Sequence, residues 1–205
     1  MTVLLQLDDV AFHYPDAQKA ILNGVSLTID AGDTVRITGR NGAGKSSLMK
    51  LICGELIPSD GRIIKSRPLR TTYLNQFSGD MLAMDLTVGE IGKGFRSTSL
   101  RQSNGDKFIQ SLCRFDLGLE SRLNDFCGHL SGGQRQAVAL AAALASEADI
   151  LCLDEFTSNL DDTAEDVAAR AILGAVDEGL LTAFYTSHGS MKLTPSKTIC
   201  LDEEN

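Results

Sequence analysis

The chain of 205 residues is 43% hydrophobic and carries a formal net charge of −8. This length and apolar content suit one globular domain with a sizeable core, so we expect residues 1–205 to form a single domain. The acidic excess argues against a nucleic-acid partner, because proteins that bind a phosphate backbone usually present a basic face.

Alternating strand patterns run through residues 3–37 and are interrupted by turn signals at Pro15-Asp16, Asn23-Gly24 and Ala31-Gly32-Asp33. Short strands separated by such turns are typical of antiparallel pairing. The sequence therefore predicts an N-terminal antiparallel β subdomain.

A glycine-rich loop follows the strand-like residues 34–38 and precedes an apolar helical run at residues 48–52. It matches G-x-x-x-x-G-K-[ST], the phosphate-binding P-loop, in the strand-loop-helix context that this motif requires. Backbone N–H groups and the helix start attract phosphate, Lys45 reaches the β- and γ-phosphates, and the Ser46 hydroxyl can ligate Mg²⁺. The predicted nucleotide contacts here are Gly39, Asn41, Gly42, Ala43, Gly44, Lys45, Ser46 and Ser47.

Helical patterns become more frequent after a short β-rich run at residues 71–74, which Gln76 follows closely. Thr87 and Glu90 have the spacing of a capping box, and residues 107–115 carry apolar side chains at helical intervals. We expect an inserted helical subdomain at about residues 78–130.

A second candidate phosphate cradle lies in the stretch LSGGQRQ. Ser131 is a good N-cap, and Gly132, Gly133 and Gln134 open a helix rich in alanine and leucine. Exposed N–H groups at a helix start favour an anion. This cradle has no lysine of its own.

Two carboxylates, Asp154 and Glu155, end an apolar run that suits a buried parallel strand. Ligands of open α/β sheets bind at that edge, and we expect this strand to lie beside the P-loop strand. On an extended chain the two side chains point to opposite sides. Asp154 could then hold Mg²⁺ through its water shell, while Glu155 orients or deprotonates the water that attacks the γ-phosphate.

Strand-like and helical patterns alternate from residue 149 onward, with a helix at residues 162–176 and a strand at residues 181–186. This order predicts a parallel sheet covered on both faces. The five cysteines are odd in number and include no C-x-x-C, so neither a disulfide framework nor a zinc site is indicated.

Together, over about residues 3–190, these motifs resemble the ATP-binding subunit of an ATP-binding cassette (ABC) transporter. The resemblance implies an α/β P-loop NTPase core with a mainly parallel sheet, the antiparallel β subdomain and the inserted helical subdomain. It also implies ATP and Mg²⁺ as cofactors and ATP hydrolysis as the activity. Two such subunits would close head to tail, so that Ser131, Gly132, Gly133 and Gln134 contact ATP held by the partner's P-loop.

Further roles follow from the same resemblance. Gln76 would contact Mg²⁺ or the attacking water, His188 would contact the γ-phosphate and organise that water, and Asp161 would lie at the dimer seam. Tyr14 would stack on adenine, although packing of its ring on the sheet is about equally open.

The resemblance implies transmembrane permease subunits, which dock between Gln76 and Ser131, and a second ATPase subunit, identical or different. A solute-binding protein could join through the complex. Residues 117–123 and 127–137 further resemble ATPases of importers for amino-acid-like or small molecules. No signal peptide or run of 18 apolar residues is evident, so we expect a cytoplasmic protein held at the inner face of the membrane by its permease.

Two other classes of function compete with a transporter ATPase. A soluble ABC-type ATPase acting on a non-transport partner usually has two cassettes in one chain or long coiled-coil insertions, and neither is visible here. A P-loop kinase or GTPase would leave the LSGGQ stretch unexplained, and no N-K-x-D-type guanine motif is present.

Overall fold

The computed structural model describes residues 2–15, 19–94, 104–157, 160–179, 181–186 and 193–201. The strands are β1 (Val3–Phe12), β2 (Leu22–Asp30), β3 (Thr34–Thr38), β4 (Asp60–Lys65), β5 (Thr71–Asn75), β6 (Ile150–Asp154), β7 (Thr182–Tyr185) and β8 (Lys197–Cys200). The helices are α1 (Lys45–Cys53), α2 (Val88–Gly94), α3 (Asn104–Cys113), α4 (Gly132–Ala145) and α5 (Asp162–Asp177). Short 3₁₀ turns occur at Leu119–Ser121 and Cys127–His129.

The antiparallel sheet has the strand order β2-β1-β4, which confirms the predicted N-terminal antiparallel unit. Its strands differ from those predicted. Strand β4 joins it, whereas β3 belongs to the other sheet.

The predicted turn at Asn23-Gly24 is wrong, because both residues lie inside β2. The register shifts there between the pairs Val10↔Val25 and Phe12↔Leu22, and Gly24 has a φ of 71°. The turn-like dipeptide therefore marks a β-bulge, which holds one extra residue within a strand.

The second sheet has the order β5-β6-β7-β3-β8, and each pairing among its described strands is parallel. The predicted α/β architecture is thus confirmed. One detail is wrong: β6 does not lie beside the P-loop strand β3, because β7 separates them. The end of β7 is consequently placed between the P-loop and the carboxylates that follow β6.

Alternate residues of β6 face two different hydrophobic clusters, because successive side chains of a strand point to opposite faces. Ile150 and Cys152 pack with α1 and the antiparallel sheet. Leu151 and Leu153 pack with α4 and α5 on the other face. Both faces of the parallel sheet are therefore covered, as predicted.

Helices α2 and α3 lie in the stretch for which a helical subdomain was expected. The predicted capping box begins α2, since Thr87 N donates to Glu90 Oε2 at 2.8 Å and Glu90 N donates to Thr87 Oγ1 at 3.3 Å. Ile91, Phe108 and Leu112 are buried in the same cluster as the alanines of α4. The helices thus pack directly onto the helix that follows Ser131.

Within the described ranges, no helix is both long enough and apolar enough to cross a membrane. The same residues contain no group of three or more His, Cys, Asp or Glu side chains that could hold a metal ion.

Candidate functional site

The glycine-rich loop connects β3 to α1, as its motif predicts. Gly44 is the N-cap of α1 and has a φ of 96°, in the left-handed region that favours glycine. A Cβ atom at Gly44 would lie only 2.7 Å from Leu22 Cδ2 and 2.9 Å from Ile21 Cγ2. Glycine is therefore required here both for the backbone conformation and for the close approach of β2.

Lys45 begins α1 directly after this loop and is largely buried. Its Nζ atom donates to the carbonyl oxygens of Gly39 at 2.7 Å and Arg40 at 3.0 Å. The ammonium group is thus held among the backbone atoms that are expected to cradle phosphate. Ser46, the next residue, is exposed at the first turn of α1.

Tyr14 lies next to the P-loop. Its hydroxyl is 3.4 Å from Ser47 Oγ, and its ring packs edge-on against Phe12 with 4.9 Å between ring centres. The side chain remains 39% exposed, so one part of the ring is covered by the sheet and another is open to a ligand. Stacking of Tyr14 on adenine stays a prediction.

A cavity of ≈270 Å³ joins the P-loop to the end of β6. It brings Lys45 and Ser46 together with Glu155, although more than 100 residues separate them in sequence. The lining residues are Ile21, Asn41, Gly42, Gly44, Lys45, Ser46, Ser47 and Glu155. A basic phosphate cradle and a carboxylate therefore face the same space.

Two hydroxyl groups fix the Asp154 carboxylate at the end of β6. Tyr73 Oη donates to Oδ2 at 2.6 Å, and Thr186 Oγ1 donates to Oδ1 at 3.0 Å. Burial and the hydrogen bond to Asp154 raise the pKa of Tyr73, so the phenol remains a neutral donor. Asp154 is only 8% exposed and has lone pairs left over, which suits contact with a metal through its water shell.

Glu155 departs from the predicted extended conformation. Strand β6 ends at Asp154, and Glu155 has a φ of 52°, so the alternation of strand side chains does not set its direction. Its backbone N–H donates to Thr186 Oγ1 at 2.8 Å. Left-handed non-glycine residues cost about 1–3 kcal/mol and cluster at functional sites, and this one turns Glu155 into the P-loop cavity.

Magnesium suits the oxygen donors of this site. Mg²⁺ prefers oxygen ligands and usually keeps several waters, so the exposed Ser46 hydroxyl and the fixed Asp154 carboxylate are of the right chemical type. Gln76 follows β5, and the pair Asn75↔Asp154 places it at the same edge of the sheet as Asp154. Its predicted contact with Mg²⁺ or the attacking water stays a prediction.

Ser131 is the N-cap of α4, as its sequence predicts, and the structure adds a capping box with Gln134 that was not predicted. Gln134 N donates to Ser131 Oγ at 3.3 Å, and Ser131 N donates to Gln134 Oε1 at 3.1 Å. No residue among 130–134 lines the cavity that contains Lys45 and Glu155. The two cradles of one chain therefore do not form one site.

Asp161 has a structural contact at the start of α5. Its side chain accepts a hydrogen bond from Ala164 N at 2.8 Å and so caps the helix. Leu160 Cδ2 would lie 3.9 Å from a Cβ atom added at Gly133, so the segment before Asp161 adjoins the LSGGQ stretch. His188, Ser158 and Asn159 lie outside the described residues.

Gln136 connects three parts of the site and was not singled out by its sequence. Its side chain is buried, and Nε2 donates to the carbonyl oxygens of Gln76, at 3.4 Å, and of Phe156. The helix that begins at Ser131 is thereby bonded to the segments next to Gln76 and Glu155. The only sequence signal was its position within LSGGQRQ.

Other contacts of the site also lacked a sequence signal. Arg135 donates to the Leu130 carbonyl at 2.7 Å and to Asp80 Oδ1 at 2.8 Å, which joins α4 to the segment after β5. Tyr73 and Thr186, which hold Asp154, belong to no motif. Their roles depend on the pairing of β5, β6 and β7, which a single sequence does not specify.

Comparisons with known proteins show which family the chain resembles. A family model described as "ABC transporter" matches residues 22–158. ABC transporter F family member 4 from Arabidopsis thaliana is 33% identical over 201 residues, which cover 98% of this chain and 27% of that protein. The chain spans only 27% to 31% of the length of such curated relatives.

Solved structures share the fold over nearly the whole chain. CbiO1 from Clostridium perfringens, part of the ABC transporter complex CbiONQ, is 25% identical with a TM-score of 0.78, covering 92% of this chain and 80% of that one. The ATP-binding cassette MJ0796, solved as a dimer, is 24% identical with a TM-score of 0.79, and the match covers 97% of this chain and 94% of that one. At this identity the similarity shows the fold alone. The matched motifs, the P-loop NTPase architecture and the family match show that the chain belongs to the ABC transporter family, as an ATP-binding domain.

Proposed function

We propose that this chain binds and hydrolyses ATP and thereby powers an ABC transporter. The observation that carries the proposal is the cavity shared by the P-loop and Glu155. Phosphoryl transfer to water requires a cation beside the phosphates and a base or orienting group beside the water. Lys45 and Glu155 offer these groups in one cavity.

The proposed chemistry assigns one task to each group. Lys45, held by the Gly39 and Arg40 carbonyls, binds the terminal phosphates of ATP, and Glu155 orients or deprotonates the attacking water. Mg²⁺, held by Ser46, Asp154 and Gln76, would neutralise charge on the phosphate oxygens. His188 is proposed to contact the γ-phosphate.

A second ATPase subunit is part of the proposal. Because residues 130–134 do not line the cavity of their own chain, the helix start at Ser131 is available to a nucleotide held by another subunit. Head-to-tail pairing would place each LSGGQ cradle over the partner's P-loop. MJ0796, which has the same fold, was solved as a dimer bound to ADP and Pi.

Permease subunits are the proposed membrane partner, and an exposed apolar surface supports this. We define the Q-loop patch as the exposed side chains of Phe77, Met81, Met84, Leu86 and Phe126. Backbone bonds from Cys127 N to Leu86 O and from Gly128 N to Met84 O join its two chain segments. Contiguous exposed apolar surface marks protein interfaces. The patch begins at the residue after Gln76, so binding of a permease there could shift Gln76 and thereby affect the ATP site.

The Met81→Asp variant tests this partner. Met81 is 75% exposed in the Q-loop patch, whereas Ile57, a matched control, is 83% exposed between α1 and β4. In detergent extracts of the source membranes, we expect wild-type protein and the Ile57→Asp variant to retain a multi-span membrane protein. Met81→Asp should retain about tenfold less, since a buried charge at an interface centre costs over ~1.4 kcal/mol.

Equal retention by Met81→Asp and Ile57→Asp would refute the patch as the permease site. If the wild-type chain retains no membrane protein but hydrolyses ATP, the better-supported function is that of a soluble ABC-type ATPase that acts on a non-transport partner. The proposed location of the chain at the inner face of the membrane also requires that the wild-type chain retain a membrane protein.

A further inference from the structure

Two cysteine side chains lie close together between α1 and β6. Cys53 is the last residue of α1, and Cys152 is the central residue of β6. Cys152 Sγ lies 4.0 Å from the carbonyl oxygen of Met49, which precedes Cys53 by about one turn of α1, so the two cysteines adjoin where α1 packs on β6. Cys152 is fully buried, whereas Cys53 is partly exposed. One thiol of the pair is therefore accessible to a small reagent.

The backbone on both sides keeps these thiols together. Cys152 points to the face of β6 that packs on α1, together with Ile150. The end of α1 is fixed by a hydrogen bond from Thr71 Oγ1 to the Cys53 carbonyl at 3.0 Å. Thr71 lies on β5, which pairs with β6 in parallel. The closeness of the two cysteines thus follows from the fold and not from one side-chain conformation.

We propose that a peroxide oxidises Cys53 and Cys152 to a disulfide that joins the P-loop helix to the strand ending at Asp154, and that this bond slows ATP turnover. The disulfide itself depends only on the thiol geometry. Its effect on turnover rests on the proposed ATPase function.

The oxidation proceeds in two balanced steps. The Cys53 thiolate attacks the O–O bond of hydrogen peroxide, its sulfur becomes a sulfenic acid, and hydroxide leaves and takes up a proton as water. The Cys152 sulfur then attacks the Cys53 sulfur, the S–O bond breaks, and the Cys152 proton leaves with the oxygen as a second water. The two thiols lose two electrons and the peroxide gains them. The hydrogen bond from Cys152 lowers the pKa of Cys53, which favours the thiolate.

The disulfide would displace the two elements that carry the catalytic groups. An S–S bond is about 2.05 Å long, shorter than any non-bonded contact of two sulfur atoms, so its formation pulls the end of α1 and the centre of β6 toward each other. Close-packed interiors transmit such shifts. Lys45 begins α1 and Glu155 follows β6, and a misplacement of about 1 Å can cost ~100-fold in rate. We expect turnover to fall by about tenfold or more.

The test uses a Cys113→Ser/Cys200→Ser protein, which lacks the two exposed thiols, and compares it with the same protein carrying Cys53→Ser. Each is treated with hydrogen peroxide, its remaining thiols are alkylated, and peptides are mapped by mass spectrometry without reduction. We expect a peptide linked through Cys53 and Cys152, a fall in ATP turnover, and recovery with dithiothreitol. The Cys53→Ser comparator should show none of these changes.

Two results would overturn the inference. The first is oxidation of Cys53 only to sulfenic, sulfinic or sulfonic acid, without a linked peptide. The second is a complete disulfide with unchanged turnover, which would remove the regulatory effect. If the reduced protein has no ATP turnover at all, the proposed function fails instead, and the peptide map still decides whether the disulfide forms.

Discussion

The Glu155→Gln variant is expected to hydrolyse ATP about 10²–10⁴-fold more slowly than the wild-type chain while binding ATP with similar affinity. The amide keeps the size of the side chain in the P-loop cavity but cannot accept a proton, and general-base catalysis contributes a factor of this order. Phosphate release measures turnover, and titration calorimetry measures ATP binding.

A matched control separates loss of this carboxylate from loss of any carboxylate. Glu178→Gln removes only an exposed ion pair with Arg114, 2.9 Å long, so its turnover should stay near that of the wild type. Wild-type turnover in Glu155→Gln would remove Glu155 from the mechanism. Weaker ATP binding in that variant would instead give Glu155 a role in holding the nucleotide.

The Lys45→Ala variant is expected to lose nucleotide affinity. Lys45 is held inside the P-loop by Gly39 and Arg40, and its loss takes a charged partner from the phosphates. A hydrogen bond to a charged group is worth about 1.5–3 kcal/mol, which is roughly a 10- to 150-fold increase in the Kd for ATP. Titration calorimetry with ATP and with AMP checks this, because AMP lacks the phosphates that Lys45 is proposed to bind.

The control for this variant is Lys65→Ala, at the end of β4 in the antiparallel sheet. It removes the same charge from another part of the chain and should bind ATP normally. An unchanged Kd for ATP in Lys45→Ala would contradict the P-loop assignment. An equal loss of affinity for AMP would show that the substitution damages the fold of the loop.

Local signals in the sequence predicted the local features of the site. The P-loop lies between β3 and α1, a capping box begins α2 at Thr87, and Ser131 is the N-cap of α4. Each feature depends on residues within one turn or one loop, where side-chain type and spacing decide the conformation. These are the parts of a fold that a single sequence specifies most directly.

Features that depend on distant pairing were missed or wrong. The sequence did not place β7 between β3 and β6, and it could not show that Thr186 would bind both Asp154 and the Glu155 backbone. The turn predicted at Asn23-Gly24 is a bulge, because the residue types that favour turns also tolerate the positive φ of a bulge. Strand order and bulges are decided by tertiary packing, which one chain's local pattern does not contain.

The shared-site dimer is the central claim, and the mass of Glu155→Gln protein in solution tests it most directly. Light scattering on a sizing column measures this mass with and without ATP and Mg²⁺. The measurement is then repeated on the double variant that carries Glu155→Gln and Ser131→Ala. Since Ser131→Ala also removes a helix cap worth about 1 kcal/mol, Thr87→Ala in the same protein is the control for cap loss.

We predict that ATP and Mg²⁺ convert the Glu155→Gln protein from monomer to dimer, that added Thr87→Ala leaves this conversion intact, and that added Ser131→Ala prevents it. A Glu155→Gln protein that binds ATP but stays monomeric, or a Ser131→Ala protein that dimerises equally well, would contradict the claim that Ser131 binds nucleotide held by a partner.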